Sequence, residues 1–173
     1  MMIFLILKRN DLLCNDLAAL KILIMEIKNL FDPAVKQELI NRINTLTPES
    51  KRKWGKMDAA QMMAHLQAPM GVALGTHPLK GNPLLKMIMP LFKKALYDEK
   101  PWKQGIPTAK SFVTTGEPKN FDEEKRKLLE MLNHFSENNM ISEDHPVFGK
   151  LSKEQWSKAT WKHFDHHLRQ FGA

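Results

Sequence analysis

The sequence has a single cysteine, Cys14, among its 173 residues. One cysteine excludes an intramolecular disulfide, and it leaves no cysteine pair to hold a structural metal. Disulfides are typical of oxidising compartments, whereas a chain without them suits a reducing one. We therefore expect the protein in the cytoplasm.

Long hydrophobic runs are also absent. The opening run, residues 1–7, has seven apolar residues, no positive region before it, and Lys8 and Arg9 directly after it. This pattern differs from a secretory signal peptide, and it is far shorter than the roughly 20 apolar residues of a membrane-spanning helix. We expect neither a signal peptide nor a membrane partner.

An acidic excess is missing as well, since Lys and Arg total 26 against 19 for Asp and Glu, and the formal net charge is +7. The basic residues fall in several places, at residues 51–56, 93–94 and 125–127. Acidic residues interleave with the last cluster, and aromatic residues do not accompany the basic ones as a repeated motif. These features predict a solvated surface and no nucleic-acid partner.

Size and composition predict one domain, because a chain with 43% hydrophobic residues can bury a sizeable core. Within residues 1–24, apolar residues at helical spacing are mixed with short apolar runs, so no single helix face results. A second candidate start lies at Met25, shortly before a well-capped helix. We expect residues 25–173 to form the domain, with residues 1–24 either a mobile extension or a start-site artefact.

Four segments have the start signals of long helices. Asp32 is a candidate N-cap with Pro33 at the first helical position, where proline loses no hydrogen bond. The other three are predicted to begin at capping boxes, and these pairs are Asp58 and Gln61, Asn120 and Glu123, and Ser152 and Gln155. No segment shows a convincing strand alternation. The pattern predicts an all-α fold, a four-helix bundle with a long crossover between its halves.

The crossover contains a short extra helix that begins at Asn82 and Pro83. Apolar residues cover most of its circumference, namely Leu84, Leu85, Met87, Ile88, Met89, Leu91, Phe92 and Leu96. We expect this helix to pack against the bundle, and the alternatives are a lid over a pocket and a homodimer surface. Residues 99–119, which contain three prolines, are typical of an ordered connection.

Histidine supplies the strongest chemical signal, because three of the seven histidines lie within residues 163–167 of the last predicted helix. His163 and His167 are four positions apart, so their Cβ atoms should lie roughly 5–6 Å apart on one helix face. That face continues an apolar stripe, and buried imidazoles need hydrogen-bond partners or a metal. His65 is the one histidine on the inner face of the second helix, beside the bend expected at Pro69.

We hypothesise that His65, His163 and His167 hold a divalent metal. Three imidazoles would leave a fourth position open, which is the arrangement of a catalytic zinc site. Zinc is our first choice, and nickel, iron and manganese are the alternatives. His166 is an alternative ligand at a spacing of three from His163. Otherwise it donates a hydrogen bond to a ligand without contacting the metal, or it lies on the surface. The competing interpretation is a set of core histidines hydrogen-bonded to their neighbours.

Four segments of the chain resemble the DinB/YfiT-like superfamily of metalloenzymes, and more narrowly one of its domains of unknown function. The last helix contains HFDHHLRQ at residues 163–170, similar to the superfamily motif H-x-x-H-H-x-x-Q. The other segments are residues 54–57, 61–66 and 145–151. Together they extend the resemblance over residues 25–173.

The resemblance implies a four-helix bundle of up-down-down-up order. It also implies that one histidine of the second bundle helix and two histidines of the last helix bind the metal, and these correspond to His65, His163 and His167. Characterised members include transferases and isomerases that use bacillithiol, mycothiol or glutathione. By this resemblance the protein is a metal-dependent thiol transferase or hydrolase that acts on a small electrophile, with a low-molecular-weight thiol as cosubstrate.

The sequence selects no general base, since the candidate carboxylates Asp98, Glu99 and Asp144 lie in predicted loops without a distinguishing spacing. A second function therefore remains, a non-catalytic helical bundle whose histidines are structural or whose metal only stabilises it. Metal analysis of the wild type and of His163→Ala separates the two, and within the first function dependence on a thiol separates a transferase from a hydrolase.

Overall fold

The computed structural model describes residues 25–79, 81–106, 112–141 and 143–173. In these ranges the chain is mostly helical, as expected of an all-α fold. The proposed extension, residues 1–24, lies outside the described residues, so both of its interpretations stay predictions. None of the described helices combines the length and the apolar character that crossing a membrane requires.

Five α-helices, one 3₁₀ helix and two short strands make up the described structure. In chain order they are α1 (Pro33–Asn44), α2 (Ala59–Leu74), α3 (Pro83–Ile88), the 3₁₀ helix (Met89–Leu96), α4 (Phe121–His134), β1 (Asp144–His145), β2 (Gly149–Lys150) and α5 (Lys153–Gln170). The four long helices are therefore α1, α2, α4 and α5. They correspond to the four segments with predicted start signals.

The helix starts follow the local capping chemistry. Asp58 and Gln61 form a reciprocal capping box at α2, and Ser152 and Gln155 form another at α5. Each box satisfies backbone N–H groups that the first helical turn leaves without a partner. Asp32 caps α1 by accepting from the N–H of Ala34 at 2.8 Å. These three predicted starts are confirmed.

The start of α4 is confirmed only in part. The side chain of Asn120 accepts from the N–H of Glu123 at 2.9 Å, as an N-cap should. The carboxylate of Glu123 does not return the bond but pairs with Lys127 at 2.6 Å, one turn further along the helix. An exposed carboxylate in the first turn has both partners within reach, and here the lysine is preferred over the capping box.

The four long helices share one core. Helices α1 and α2 each contact both α4 and α5, so the inner faces of all four meet. The largest fully buried apolar side chains come from all of them and from the adjoining loops, and they include Leu30, Leu39, Ile43, Met62, Met63, Leu66, Met70, Leu128, Leu132, Phe135 and Phe164. This packing brings the face of α2 that contains His65 against α5.

A two-stranded hairpin precedes α5 and was not predicted. Asp144 pairs with Lys150 and His145 with Gly149 in antiparallel register. Gly149 has φ of 70°, a left-handed conformation that glycine adopts without a steric penalty. Strands of two residues are too short to show an alternating pattern, which is why the sequence gives no sign of them.

The prediction that the apolar helix of the crossover packs against the core is wrong for α3. No residue of α3 is buried. In the 3₁₀ helix, Pro90 lies against Gly149, the Nζ of Lys93 donates to the C=O of Lys150 at 3.0 Å, and Leu96 packs on the core. These three residues are spaced by three, the period at which side chains of a 3₁₀ helix share a face. The other faces remain exposed.

Candidate metal centre

Three histidines converge between α2 and α5. One nitrogen from each of His65, His163 and His167 lies within 4.8 Å of the others. The Nε2 atoms of His65 and His163 are 3.0 Å apart, and the three ring centroids are separated by 4.7 to 4.9 Å. The structure thus brings together the three residues that the sequence analysis selected.

The helices explain this placement. His163 and His167 lie on successive turns of α5, so their rings project from the same face. His65 follows the buried residues Met62 and Met63 on α2 and is itself only 4% exposed. Because α2 packs against α5 through these faces, the third imidazole enters the space beside the other two.

A backbone carbonyl orients His65. The Nδ1 of His65 lies 2.8 Å from the C=O of Phe112. A carbonyl oxygen only accepts hydrogen bonds, so the proton of the neutral imidazole must be on Nδ1. The lone pair is then on Nε2, which faces the cluster.

Gln170 orients His167 in the same way. The Nε2 of Gln170 donates to the C=O of Trp54 at 2.6 Å, which leaves its Oε1 directed at the Nδ1 of His167 at 2.9 Å. Since Oε1 can only accept, His167 also has its proton on Nδ1 and its lone pair on Nε2. This arrangement, in which the second ring nitrogen donates to an oxygen, is typical of metal-binding histidines.

His163 completes the cluster through its contact with His65. Because Nε2 of His65 has a lone pair, the 3.0 Å contact requires that Nε2 of His163 donate its proton. If the proton of His163 moves to Nδ1, its Nε2 also has a lone pair, and a cation between the rings would face three lone pairs. The donor set of three neutral imidazoles therefore fits a divalent metal.

Burial keeps the three rings neutral. It lowers the pKa of His65 against the opposing effect of the hydrogen bond to Phe112, and it lowers the pKa of His167 to about 3. Burial also holds the pKa of His163 well below its ordinary value, with repulsion from His167, His65 and His166 acting in the same direction. Neutral imidazole is the form that binds a metal, so the cluster is ready for one near neutral pH.

His166 and Asp165 lie outside the cluster. His166 packs its ring between Trp54 and Trp102, with centroid distances of 5.8 Å to each. Asp165 is 3% exposed and pairs with Arg42 at 3.0 Å and with Arg169 at 2.9 Å. The structure thus gives no support to His166 as a ligand and links Asp165 to α1.

A pocket of about 180 Å³ lies beside His166, and none of the three cluster histidines is part of its lining. Its walls include Trp54, Trp102 and His166, and the ring of Trp102 is also 5.7 Å from that of His163. Neither tryptophan can be recognised from the sequence as a pocket residue, because both lie in irregular segments without a periodic pattern. Gln170 was visible only as a motif position, although its spacing of three from His167 places it within reach on a helix.

Asp98, one of the candidate carboxylates, is engaged elsewhere. Its Oδ1 accepts from the Nζ of Lys162 at 2.7 Å. Lys162 is fully buried, and its Nζ also donates to the carbonyls of Ala95 and Asp98 at 3.0 and 2.8 Å. Burial lowers the pKa of this lysine, and the pairing with Asp98 opposes that effect. Asp98 therefore ties the crossover to α5 and does not face the histidines.

Comparison with known proteins matches the chain to a family model. A family model described as a protein of unknown function, DUF1569, matches residues 28–173. Searches of curated proteins and of solved structures found no match. The matched region contains all three histidines of the cluster.

Proposed function

The chain belongs to the DUF1569 family of proteins of unknown function, and we propose that it is an enzyme with a divalent metal held by His65, His163 and His167. The activity that suits such a site best is that of a thiol transferase or hydrolase acting on a small electrophile in the cytoplasm. The up-down-down-up bundle order of the DinB-like proteins is part of the same proposal.

The observation that carries the proposal is the orientation of the imidazoles. His65 donates from Nδ1 to Phe112, and His167 donates from Nδ1 to Gln170. Two Nε2 lone pairs therefore face one buried space, an arrangement that is unfavourable unless a donor or a cation shares them. Without a metal, His163 donates to the lone pair of His65 at 3.0 Å; the convergence of all three rings on one point favours a cation over histidines that are bonded separately within a core.

The residues around the cluster have separable tasks in this proposal. A divalent ion bound there would supply a Lewis acid that makes a bound thiol or water more acidic. Three neutral ligands add no negative charge to the site, so the ion keeps its full effect on the acidity of the bound thiol or water. Phe112 and Gln170 hold the rings in the metal-binding tautomer. Trp54 and Trp102 line the pocket beside His166, and the ring of Trp102 also lies near His163, so these rings would contact the apolar part of a small substrate that approaches the metal.

Metal analysis of protein purified without a histidine tag tests the site. We expect a stoichiometric divalent metal in the wild type and its loss in His163→Ala. The matched control is His134→Ala, because His134 is exposed at the end of α4 and far along the chain from the cluster. Metal-free wild-type protein would refute the site, and a loss of stability in His163→Ala would then favour structural histidines.

A panel of low-molecular-weight thiols, tested with a haloarene electrophile, examines the reaction. The transferase predicts product formation that depends on one thiol and stops when a chelator removes the metal. The hydrolase predicts chelator-sensitive turnover of an activated ester or amide without a thiol. Stoichiometric metal without either activity would leave the alternative function, a bundle that the metal only stabilises.

A further inference from the structure

Residues 83–96, which form α3 and the 3₁₀ helix, project a large apolar surface, and we call this segment the apolar arm. Six of its large apolar side chains are exposed, and these are Leu84 (61%), Leu85 (46%), Met87 (72%), Ile88 (41%), Leu91 (81%) and Phe92 (58%). Scattered apolar side chains are normal on a protein surface. Six within nine consecutive positions form a contiguous patch, which marks an interaction site.

The patch has a definite shape on α3. At 100° per residue, Leu84, Leu85, Met87 and Ile88 cover an arc of about 160° of the helix, and Lys86 lies opposite the centre of that arc. A broad apolar face with lysine on the opposite side is the pattern of helices that lie in the plane of a membrane interface.

The charge of the apolar arm has one sign. It contains Lys86, Lys93 and Lys94, and the sequence has no Asp or Glu anywhere in residues 59–97. Lys93 is bound to the C=O of Lys150, whereas Lys86 and Lys94 are exposed. The partner of this surface must therefore accept both apolar side chains and positive charge.

The apolar arm is held in place at its C-terminal end. Both the Nε1 of Trp102 and the Nζ of Lys162 donate to the C=O of Ala95, at 2.7 and 3.0 Å. Lys93 adds the bond to β2. These contacts fix the arm to α5 and to the hairpin with its apolar face turned away from the core. The exposed apolar side chains therefore lie on a segment whose position is fixed.

We propose that the apolar arm docks the protein on the surface of a bilayer that contains anionic lipid. The interface of such a bilayer has apolar chains for the arc of α3 and anionic headgroups for Lys86 and Lys94. A second copy is a poorer partner, because it could cover the apolar arc but neither arm contains a carboxylate that would pair with Lys86 or Lys94. This inference replaces the sequence-based expectation of no membrane partner, and it is independent of the metal centre.

Vesicle co-sedimentation of the full chain tests the proposal. The vesicles are phosphatidylcholine alone, or phosphatidylcholine mixed with phosphatidylglycerol. We expect binding to the mixed vesicles that weakens as salt is added, because salt screens the lysine contribution. Leu91→Asp should lower the partition coefficient by about tenfold or more, since it removes one large apolar side chain from the interface and adds a negative charge.

Ile141→Asp is the matched control, because Ile141 is 69% exposed and lies outside the apolar arm. It should bind vesicles as the wild type does. Both substitutions are at exposed positions, and unchanged circular dichroism and thermal midpoints would verify that both variants fold. Lys86→Glu combined with Lys94→Glu should abolish the preference for phosphatidylglycerol.

Three results would overturn the proposal. The first is a wild type that binds neither type of vesicle. The second is equal binding by wild type and Leu91→Asp. The third is a dimer in light scattering that Leu91→Asp converts to a monomer while vesicle binding is absent, which would assign the apolar arm to a second copy of the chain.

Discussion

His167 and Gln170 are joined by a hydrogen bond of 2.9 Å between Nδ1 and Oε1. The bond connects a residue of the histidine cluster to the loop that contains Trp54, because the same amide of Gln170 donates to that residue's carbonyl. One side chain therefore sets the tautomer of His167 and the position of a pocket wall. This double role makes Gln170 the most informative residue to change outside the cluster itself.

Replacement of Gln170 by Leu should lower metal affinity by about 10–100-fold, since it removes the acceptor that orients a ligand. Competition with a metal-sensitive dye measures the affinity. Gln170→Glu is the informative comparison, because a carboxylate still accepts from His167 but no longer donates to Trp54. It should retain more affinity than Gln170→Leu, and equal losses in the two variants would contradict an orienting role for the acceptor.

The pH dependence of metal binding should reflect the burial of the cluster. Exposed histidines lose metal as the pH falls through about 6.5. Here burial lowers the pKa of all three rings, so protons compete with the metal only at lower pH. We expect affinity, measured by competition titration, to stay nearly constant as the pH falls through 6.5 and to decline only well below it. A decline that begins near pH 6.5 would indicate solvated rings.

His145 should make the protein less stable in acid. Its Nδ1 accepts from the N–H groups of Val147 and Phe148 at 3.1 and 3.2 Å, its ring stacks on Trp156, and burial lowers its pKa to about 4. The unfolded chain takes up the proton near pH 6.5 but the folded chain only near 4. Stability is therefore complete above pH 6.5 and falls by up to roughly 3 kcal/mol as the pH decreases to 4.

Histidine NMR titration should give the low pKa of His145 directly. Chemical denaturation at several pH values should show the loss of stability, with contributions from the other buried histidines. His145→Asn keeps a side-chain acceptor without a titrating group, so its stability should change less between pH 6.5 and 4 than that of the wild type. An identical pH dependence in both proteins would exclude this assignment.

Lys162 should be important for stability. Lys162→Met preserves the packing of the stem but leaves the carboxylate of Asp98 without its cation, and removal of one partner of a buried pair costs roughly 3 kcal/mol. Lys158→Met is the matched control on the same helix, where the exposed pair with Glu154 should contribute less than about 1 kcal/mol. The free energy of unfolding, measured with denaturant, should therefore fall much more in Lys162→Met than in Lys158→Met.

A second substitution separates charge from packing. If the unpaired carboxylate causes the loss, Asp98→Asn should recover part of the stability in the Lys162→Met background. Equal effects of Lys162→Met and Lys158→Met would mean that the buried lysine contributes no more than a surface one.

Local chemistry alone determined much of this protein. The helix starts at Asp58 and Ser152 follow from side chains that satisfy N–H groups a few residues away. The pairing of His163 with His167 follows from the pitch of a helix, and the helix start signals together with the lack of a strand alternation were enough to predict an all-α fold. The sequence also placed His65 on an inner face, because the apolar residues around it recur at helical spacing.

Only the tertiary structure decided what lies against these elements. The carbonyl of Phe112 reaches His65 from 47 positions along the chain, and Asp98 reaches Lys162 from 64, so no local pattern could reveal either contact. The same holds for the apolar arm, whose sequence resembles that of a buried helix. Periodicity reports which residues share a face, whereas burial depends on which distant segment covers that face, and for α3 no described segment does.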